Sequence, residues 1–314
     1  MIVWGINALN HGSSLAVFQN DLLLSNKFDK SDELLFETVD DALKIGKPET
    51  IYWYERPLLK KTRQLYAGQW RRAFDLSVLP KQYLKTLGFD NTKIKYTPHH
   101  ASHAAAGYYT SPFNDCVVVV LDAIGEWECA TIWQGKNNEL KKLWSRSYPN
   151  SLGLFYSAFT DLIGYQPILE EHKLQKDSAL GNPNLYEKTL RSYIDETLIL
   201  KKNLHKGVTD WPYIIIDRNR KHVAAAVQSA FEIQIEKIMD LAKELAGSDN
   251  LVYMGGCAMN SFANKKIVEK KFKHIWSLPQ PGDPSSSIGA VLYHTKQRLT
   301  NLDLGLVKQI EVRV

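Results

Sequence analysis

The sequence predicts an α/β protein built from two similar lobes. Three observations carry this expectation. A triplet of short apolar stretches separated by polar turns occurs at the start of the chain and again from residue 116. Each triplet is followed by helical patterns, and strands alternating with helices mark the α/β class. The length, 314 residues, suits two domains or two tightly packed lobes.

The first triplet is residues 1–6, 15–18 and 22–24, broken by Asn10-His11-Gly12 and by Gln19-Asn20-Asp21. The second is residues 116–121, 129–133 and 140–144, with its first turn at 122–125. The expected lobes are residues 1–112 and 113–314. In the first, residues 40–45, 58–79 and 98–108 read as helices. The clearest helix of the second is HVAAAVQSAFEIQIEKIMDLAKELAG, where Val227, Phe231, Ile235, Ile238, Ala242 and Leu245 recur at helical spacing on one face. Gly247 suits its C-terminal cap. A short strand, LVYMGG, follows, then helices over 260–271 and 286–299 and a polar tail. Residues 149–183 lack strong periodicity and contain a charged loop, LEEHKLQKDSALGNP. No short-period repeat points to a solenoid.

Composition narrows the function classes. Hydrophobic residues make up 44% and charged residues 23%, an ordinary globular usage. Cys116, Cys129 and Cys257 show no CxxC spacing, which argues against a disulfide framework and for a reducing compartment. The N-terminus lacks the pattern of a signal peptide, and the longest apolar run, CVVVVLDAIG, is too short to span a bilayer. A soluble, intracellular, cytoplasmic protein without a membrane partner is expected. The net charge of +5 permits an anionic partner without requiring one. No G-x-S-x-G elbow supports a serine nucleophile. Cys257 reads as a small buried thiol.

The segment TPHHASHAAAGYY holds the most chemistry. Thr97 is placed to cap a helix and Pro98 to occupy its first position. His99 and His103 then share one face, while His100 points elsewhere. Two imidazoles one turn apart can grip a metal ion, although such a pair alone is more often structural. The alanines allow close packing against a neighbour. Asp122, closing an apolar strand, and Asp283, in PQPGDPSSSIGA, are carboxylates at turns. Two histidines with two aspartates suit Fe, Zn or Mn without choosing among them. Gly125, Gly255-Gly256 and Gly282 each follow a strand, and amides at such turns bind anions. None matches a phosphate-loop or dinucleotide fingerprint, yet a nucleotide cleft fits them.

Taken together, these stretches resemble the O-carbamoyltransferases of the NodU/CmcH family, specifically their metal-binding, threonylcarbamoyl-transferase-like domain. The matching segments are GINALNHGSSLAVF, YERPLLKKTR, TPHHASHAAAGYY, VVVVLDAIGEWE, SLGLFYSAFTDLIGYQP, the Glu171-His172-Lys173 loop, MGGCAMNSFAN and PGDPSSSIGA. The resemblance implies the two-lobed fold of the actin, heat-shock ATPase and sugar-kinase (ASKHA) superfamily. It implies a divalent metal on His99, His103, Asp122 and Asp283. It also implies an adenylate near Gly125, Glu126, Gly255, Gly256, Asn260 and Asn264. In the family, carbamoyl phosphate and ATP give carbamoyl-adenylate, and the carbamoyl group then passes to a substrate hydroxyl. His11 is the expected base for that hydroxyl, and Lys173 the group that neutralises developing charge. As alternatives, His11 merely bonds within its turn and Lys173 is a surface ion pair. The chain departs from the family at Gly12, where an aspartate is usual, at Ala123, where a glycine is usual, and over residues 174–178.

The family continues into an adenylate-forming domain where this sequence ends, so a separate adenylate-forming partner or another donor route is expected. The shorter form resembles viral (phage) carbamoyltransferases linked to modified DNA, whose acceptor would be 5-hydroxymethylcytosine, placing the protein in the host cytoplasm. Tyr52, Trp53, Tyr54, Tyr66 and Trp70 interleave with Arg56, Lys60, Lys61, Arg63, Arg71 and Arg72, a mixture that fits base stacking and phosphate contacts. Lys265, Lys266, Lys270, Lys271 and Lys273 form a second basic cluster. The alternatives are carbamoylation of a small metabolite, threonylcarbamoyl transfer to tRNA, or a non-catalytic nucleotide-binding subunit.

Overall fold

The computed structural model describes residues 1–195 and 199–299. The first apolar triplet forms an antiparallel meander of β1 (Ile2–Asn10), β2 (Gly12–Gln19) and β3 (Leu22–Asp29). Helix α1 (Phe36–Ile45) leads to β4 (Thr50–Trp53), which adds parallel to β1. Helices α2 (Pro57–Tyr66), α3 (Trp70–Phe74) and α4 (Pro80–Thr86) lead to β5 (Lys93–Tyr96), parallel to β4. Helix α5 (His99–Thr110) closes this half.

The second half repeats the plan. Its meander is β6 (Asp115–Gly125), β7 (Glu128–Lys136) and β8 (Glu139–Ser147). Then come α6 (Leu152–Leu162), α7 (Glu171–Ser178), α8 (Glu187–Leu190) and the long α9 (Asp217–Ala246). Strand β9 (Asn250–Met254) adds parallel to β6. Short helices α10 (Ser261–Ala263) and α11 (Glu269–Lys271), joined through a π turn, precede β10 (His274–Trp276), parallel to β9. Helix α12 (Ser286–Thr295) ends the described chain's regular structure. The sheet orders, β3-β2-β1-β4-β5 and β10-β9-β6-β7-β8, are one topology met twice. In this repeat α12 is the counterpart of α5.

Burial explains the strand sequences. Val118 and Val120 of β6 face a core shared with α5 and α12, while Val117 and Val119 face a second core shared with α6 and α9. A strand covered on both faces needs an unbroken apolar run rather than alternation. Each such valine contributes about 1.5–3 kcal/mol of burial.

The two closing helices cross over. Helix α12 packs against β1, β2 and β4, and α5 packs against β6, β7 and β9. Helix α12, from the 113–314 stretch, thus packs on the first sheet. The helices α5 and α12 also pack on each other. The alanine-rich composition of α5 permits this, and a Cβ built on Gly289 of α12 would stand 1.8 Å from the Ser102 carbonyl oxygen.

Several boundaries differ from the sequence expectation. The helix expected over 58–79 is broken at Ala67-Gly68, where Gly68 takes φ +72°. Residues 149–183 contain α6, started by the Ser151 hydroxyl accepting the Leu154 amide, and α7, both too short to show strong periodicity. Thr97 does not cap α5: its hydroxyl donates to the Ala290 carbonyl, and Pro98 precedes the helix. Helix α12 stops at Thr295 because Lys296 turns left-handed at φ +54°. Gly247 caps α9 at φ +64° as expected, but Leu245 in its last turn is exposed. No helix among the described residues is long and apolar enough to cross a membrane.

Candidate metal centre

Helix α5 is buried along its whole length, so its histidines sit in the interior. His99 and His103, one turn apart, bring their Nε2 atoms within 3.1 Å of each other. Asp122 reaches the same point from the register shift near the end of β6. Asp283 reaches it from the tight turn that starts α12. His99 Nε2 lies 3.2 Å from Asp122 Oδ2 and 3.3 Å from Asp283 Oδ1. His103 Nε2 lies 3.3 Å from Asp283 Oδ1 and 3.8 Å from Asp122 Oδ2. One donor atom from each of the four residues falls within 4.8 Å of all the others.

This arrangement fits a divalent cation. Four ligands at metal bond lengths of about 2.0–2.2 Å in a tetrahedron stand about 3.3–3.6 Å apart. The histidine–histidine and histidine–aspartate separations, 3.1–3.8 Å, are near that spacing. Two imidazole Nε2 atoms and two carboxylate oxygens turned on one point are all potential ligands, and the buried Asp283 Oδ1 makes no hydrogen bond.

Three of the four side chains are also held from behind by hydrogen bonds. The second oxygen of Asp122 accepts the Gly256 amide at 3.2 Å, and the second oxygen of Asp283 accepts the Asn10 amide at 3.4 Å. The Nδ1 of His103 meets the Ser286 hydroxyl at 3.3 Å. The Tyr54 ring packs on His99, with centroids 5.2 Å apart. Such partners fix ligand orientation. His100 is separate: it is buried, and its Nδ1 meets the Thr131 hydroxyl at 3.0 Å.

The electrostatics follow the convergence. Burial pulls His99 toward neutrality, but the Asp283 and Asp122 carboxylates outweigh it and raise its pKa well above the ordinary value. Burial also opposes ionisation of Asp122, yet the His99 contact and the His103 charge bring it down to about 2. Asp283 moves the same way, held well below the carboxylate range by both histidines against its burial. His100 has no such partner, and burial together with the nearby His99 charge drives it well below the histidine range.

The remaining expected residues fall in different places. His11 is exposed at the β1–β2 turn, one residue beyond the Asn10 that touches Asp283. Lys173 is half-exposed on α7, paired with Glu170 and lying over the Tyr165 ring; neither partner belongs to the cluster. Gly125 presses against the His99 and His100 rings. Glu126, expected beside a nucleotide, is buried and ion-paired to Arg56 at 2.6 Å. Gly255, at φ +91°, and Gly256 form the turn after β9, with the Gly256 amide committed to Asp122. Asn260 accepts the Ala263 amide at 3.0 Å and exchanges hydrogen bonds with Gln228. Asn264 donates to the Ala258 carbonyl at 2.7 Å. Burial of Cys257 pushes its thiol pKa up, as a small core thiol requires.

The expected nucleic-acid face is corrected in part. Arg63 is buried, donating to the Glu126 carbonyl and to Gln69, so it cannot reach a phosphate from the surface. Tyr52 and Trp53 of β4, and Tyr54 just after it, are core residues. Lys60 is paired with Glu55, and Lys61 donates to carbonyls of Arg72 and Asp75. In the second basic cluster, Lys266, Lys271 and Lys273 pair with Glu232, Asp240 and Asp249. Trp70, Arg71 and Arg72 of α3 are exposed, and Trp70 stacks with Phe74 at 13° between planes.

Sequence reasoning missed Asn10 and Ser286, and it set Gly256 beside an adenylate without its contact to Asp122. Asn10 adjoins His11 in the opening turn, which is its only local signal.

Residues 28–292 match the family described as carbamoyltransferase N-terminus. An uncharacterised protein of Synechocystis is 28% identical over 95% of this chain and 58% of its own length. The nodulation protein NolNO of Sinorhizobium fredii is 25% identical over 65% of this chain and 31% of its own length. The chain thus spans well under two thirds of these relatives. The fold is also found in the Clostridium difficile activator of 2-hydroxyisocaproyl-CoA dehydratase with bound ADPNP. That structure is 13% identical and covers 99% of this chain and 100% of its own, with a TM-score of 0.52. Full-length HypF in its phosphate- and nucleotide-bound form is 12% identical over 94% of this chain and 55% of its own, with a TM-score of 0.50. These likenesses, with the repeated sheet, establish the two-lobed ASKHA fold. The family match covers most of the sequence, and the chain belongs to the carbamoyltransferase N-terminus family.

Proposed function

We propose that this family member transfers a carbamoyl group from carbamoyl-adenylate to a substrate hydroxyl, using a divalent metal held by His99, His103, Asp122 and Asp283. The convergence of these four side chains on one point carries the reading. A metal bound there supplies Lewis-acid polarisation of a phosphate or carbonyl oxygen. The chain's own part is to hold the ligands: Gly256, Asn10 and Ser286 fix the orientation of Asp122, Asp283 and His103. The turn formed by Gly255 and Gly256 lies against Asp122, which supports an adenylate on this side, flanked by Asn260 and Asn264.

In the transfer step the acceptor oxygen bonds to the carbamoyl carbon and the bond from that carbon to the adenylate phosphate oxygen breaks. AMP leaves, and the hydroxyl proton passes to an imidazole nitrogen of His11. The exposure of His11 and its place beside Asn10 support this role. Carbamoyl phosphate and ATP are the ultimate source of carbamoyl-adenylate in this reading. Lys173 is assigned no step, since its contacts lie on the surface of α7.

For the acceptor, we favour 5-hydroxymethylcytosine in DNA, on the exposed Trp70–Phe74 stack beside Arg71 and Arg72. Stacked aromatics next to cations suit bases and phosphates. The test is incubation with carbamoyl phosphate, ATP and DNA containing that base, with and without an adenylate-forming relative. A gain of about 43 Da on the nucleoside, one carbamoyl group in place of a proton, is the expected result. No gain on DNA, with carbamoylation of a small hydroxylated metabolite or of tRNA instead, would overturn the acceptor. No transfer to any hydroxyl would favour a non-catalytic nucleotide-binding subunit.

A further inference from the structure

Glu126 occupies the tip of the β6–β7 hairpin, at φ +56° and 4% exposed. A buried carboxylate at a strained turn needs a reason, and its partners supply one. Its Oε1 accepts the Arg56 backbone amide at 2.6 Å and the His99 backbone amide at 3.4 Å. Its Oε2 accepts the Arg56 guanidinium at 2.6 and 3.0 Å. The Arg63 guanidinium donates to the Glu126 carbonyl at 3.2 Å. Two helices thus begin on one carboxylate. Arg56 precedes α2 and His99 opens α5, and neither helix is capped by the side chain that precedes it. Unpaired amides and the positive end of a helix both favour an anion at that position.

The neighbouring residue adds a second contact to the same histidine. A Cβ on Gly125 would fall 2.2 Å from His99 Cδ2 and 2.6 Å from its Cγ, so the ring rests directly on the hairpin backbone. The hairpin therefore holds His99 twice, by its ring and by its amide. It is also the hairpin that carries Asp122.

We propose that Glu126 is a positioning residue: it clamps the first turn of α5 to α2 and to the β6–β7 hairpin, holding His99 Nε2 toward Asp122 and Asp283. This rests on reading the four-residue cluster as a metal centre. It places Glu126 behind the metal rather than against the nucleotide.

The test compares wild type, Glu126→Ala and Glu126→Gln as metal-free full chains. Each is titrated with Zn²⁺ or Mn²⁺ alone, and hydrogen exchange is followed in peptides covering residues 97–104 and 217–246. Glu126→Ala is expected to weaken metal binding by about tenfold or more, the usual scale for a lost ligand-orienting partner. It should speed exchange over 97–104 while leaving 217–246 as in wild type. Glu126→Gln, which keeps an oxygen for both amides, should recover part of each effect. Wild-type affinity and exchange in Glu126→Ala would overturn the proposal. So would exchange raised equally in both segments, which marks a general structural role. If the wild-type chain binds neither ion, the metal reading fails by itself, and exchange over 97–104 still decides whether Glu126 clamps α5.

Discussion

The β1–β2 and β6–β7 hairpins stand at equivalent places in two sheets of one topology, yet their tips face different surroundings. The first carries a partly buried Asn10 and an exposed His11. The second carries Asp122 turned inward and a buried Glu126. The helices that follow the two sheets are crossed between them. The start of α5 meets the β6–β7 hairpin through His99 and Asp122, and the start of α12 meets the β1–β2 hairpin through Asp283 and Asn10. Duplication thus supplies two hairpin–helix contacts at one point. One carries an aspartate of the four-residue cluster, and the other touches Asp283 while leaving a histidine exposed. On the proposed reading, burial separates the groups that would hold a metal from the group that would act on the acceptor.

The largest effects should come from the second hairpin. Asp122→Asn is expected to remove a ligand and lower carbamoyl transfer by about 10³-fold or more, as loss of several kcal/mol of transition-state stabilisation requires. Turnover measured at saturating donor checks this, and unchanged turnover would remove the metal from the account. The first hairpin should act on the rate without acting on the metal. His11→Ala is expected to lower transfer by about 10²-fold with metal content unchanged in elemental analysis. If metal is lost with His11, the division of labour between the hairpins is wrong.

The crossed helices can be probed through stability. A Cβ on Gly289 meets the Ser102 backbone at 1.8 Å, whereas a Cβ on its counterpart helix at Gly107 meets the side chains of Val252 and Met254 at 2.5 and 2.6 Å. Side chains yield more easily than backbone. Gly289→Ala should cost about 3 kcal/mol and Gly107→Ala about 1 kcal/mol in denaturant unfolding. Equal costs would mean that the α5–α12 crossing is not the tighter contact.

Proton and metal compete for the cluster, and the sign of each pKa shift fixes the direction. His99 is raised, so its charged contacts stabilise the metal-free fold below its ordinary pKa of 6.5 and are lost as pH rises through the raised value. Asp122 is lowered from 3.8 to about 2, so its contribution is present above 3.8 and lost as pH falls toward 2. Metal-free protein should therefore lose thermal stability on both sides of this window. Because a metal takes the place of the His99 proton, its affinity should rise with pH, as isothermal titration across the window would show. The smallest effect is expected at the surface: Lys173→Ala should change stability by only about 0.5 kcal/mol. A large loss of transfer in that variant would restore Lys173 to the reaction.

The sequence reveals the four residues that converge because residue type and spacing carry them. A His-x-x-x-His pair and two aspartates at strand-end turns are visible in one dimension. The repeated meander likewise reveals the fold class, although not that α12 returns to the first sheet. The supporting residues are hidden for a physical reason. Asn10 reaches Asp283 across 273 positions, and an asparagine in a turn looks like any other. Charge and aromatic counts mislead where burial decides. Tyr52 and Trp53 belong to β4, which lies between β1 and β5, and Tyr54 follows it into the interior, so a segment that reads as a stacking surface is core. Arg63 reads as a phosphate contact and is instead bound to the hairpin that holds the site.

The central claim is that His99, His103, Asp122 and Asp283 hold one divalent ion. Calorimetric titration of the metal-free full chain with Zn²⁺ or Mn²⁺ tests it most directly. One ion per chain is expected, with the site lost in Asp122→Asn and retained in His11→Ala. Absence of binding in the wild-type chain, or binding that survives Asp122→Asn unchanged, would contradict it.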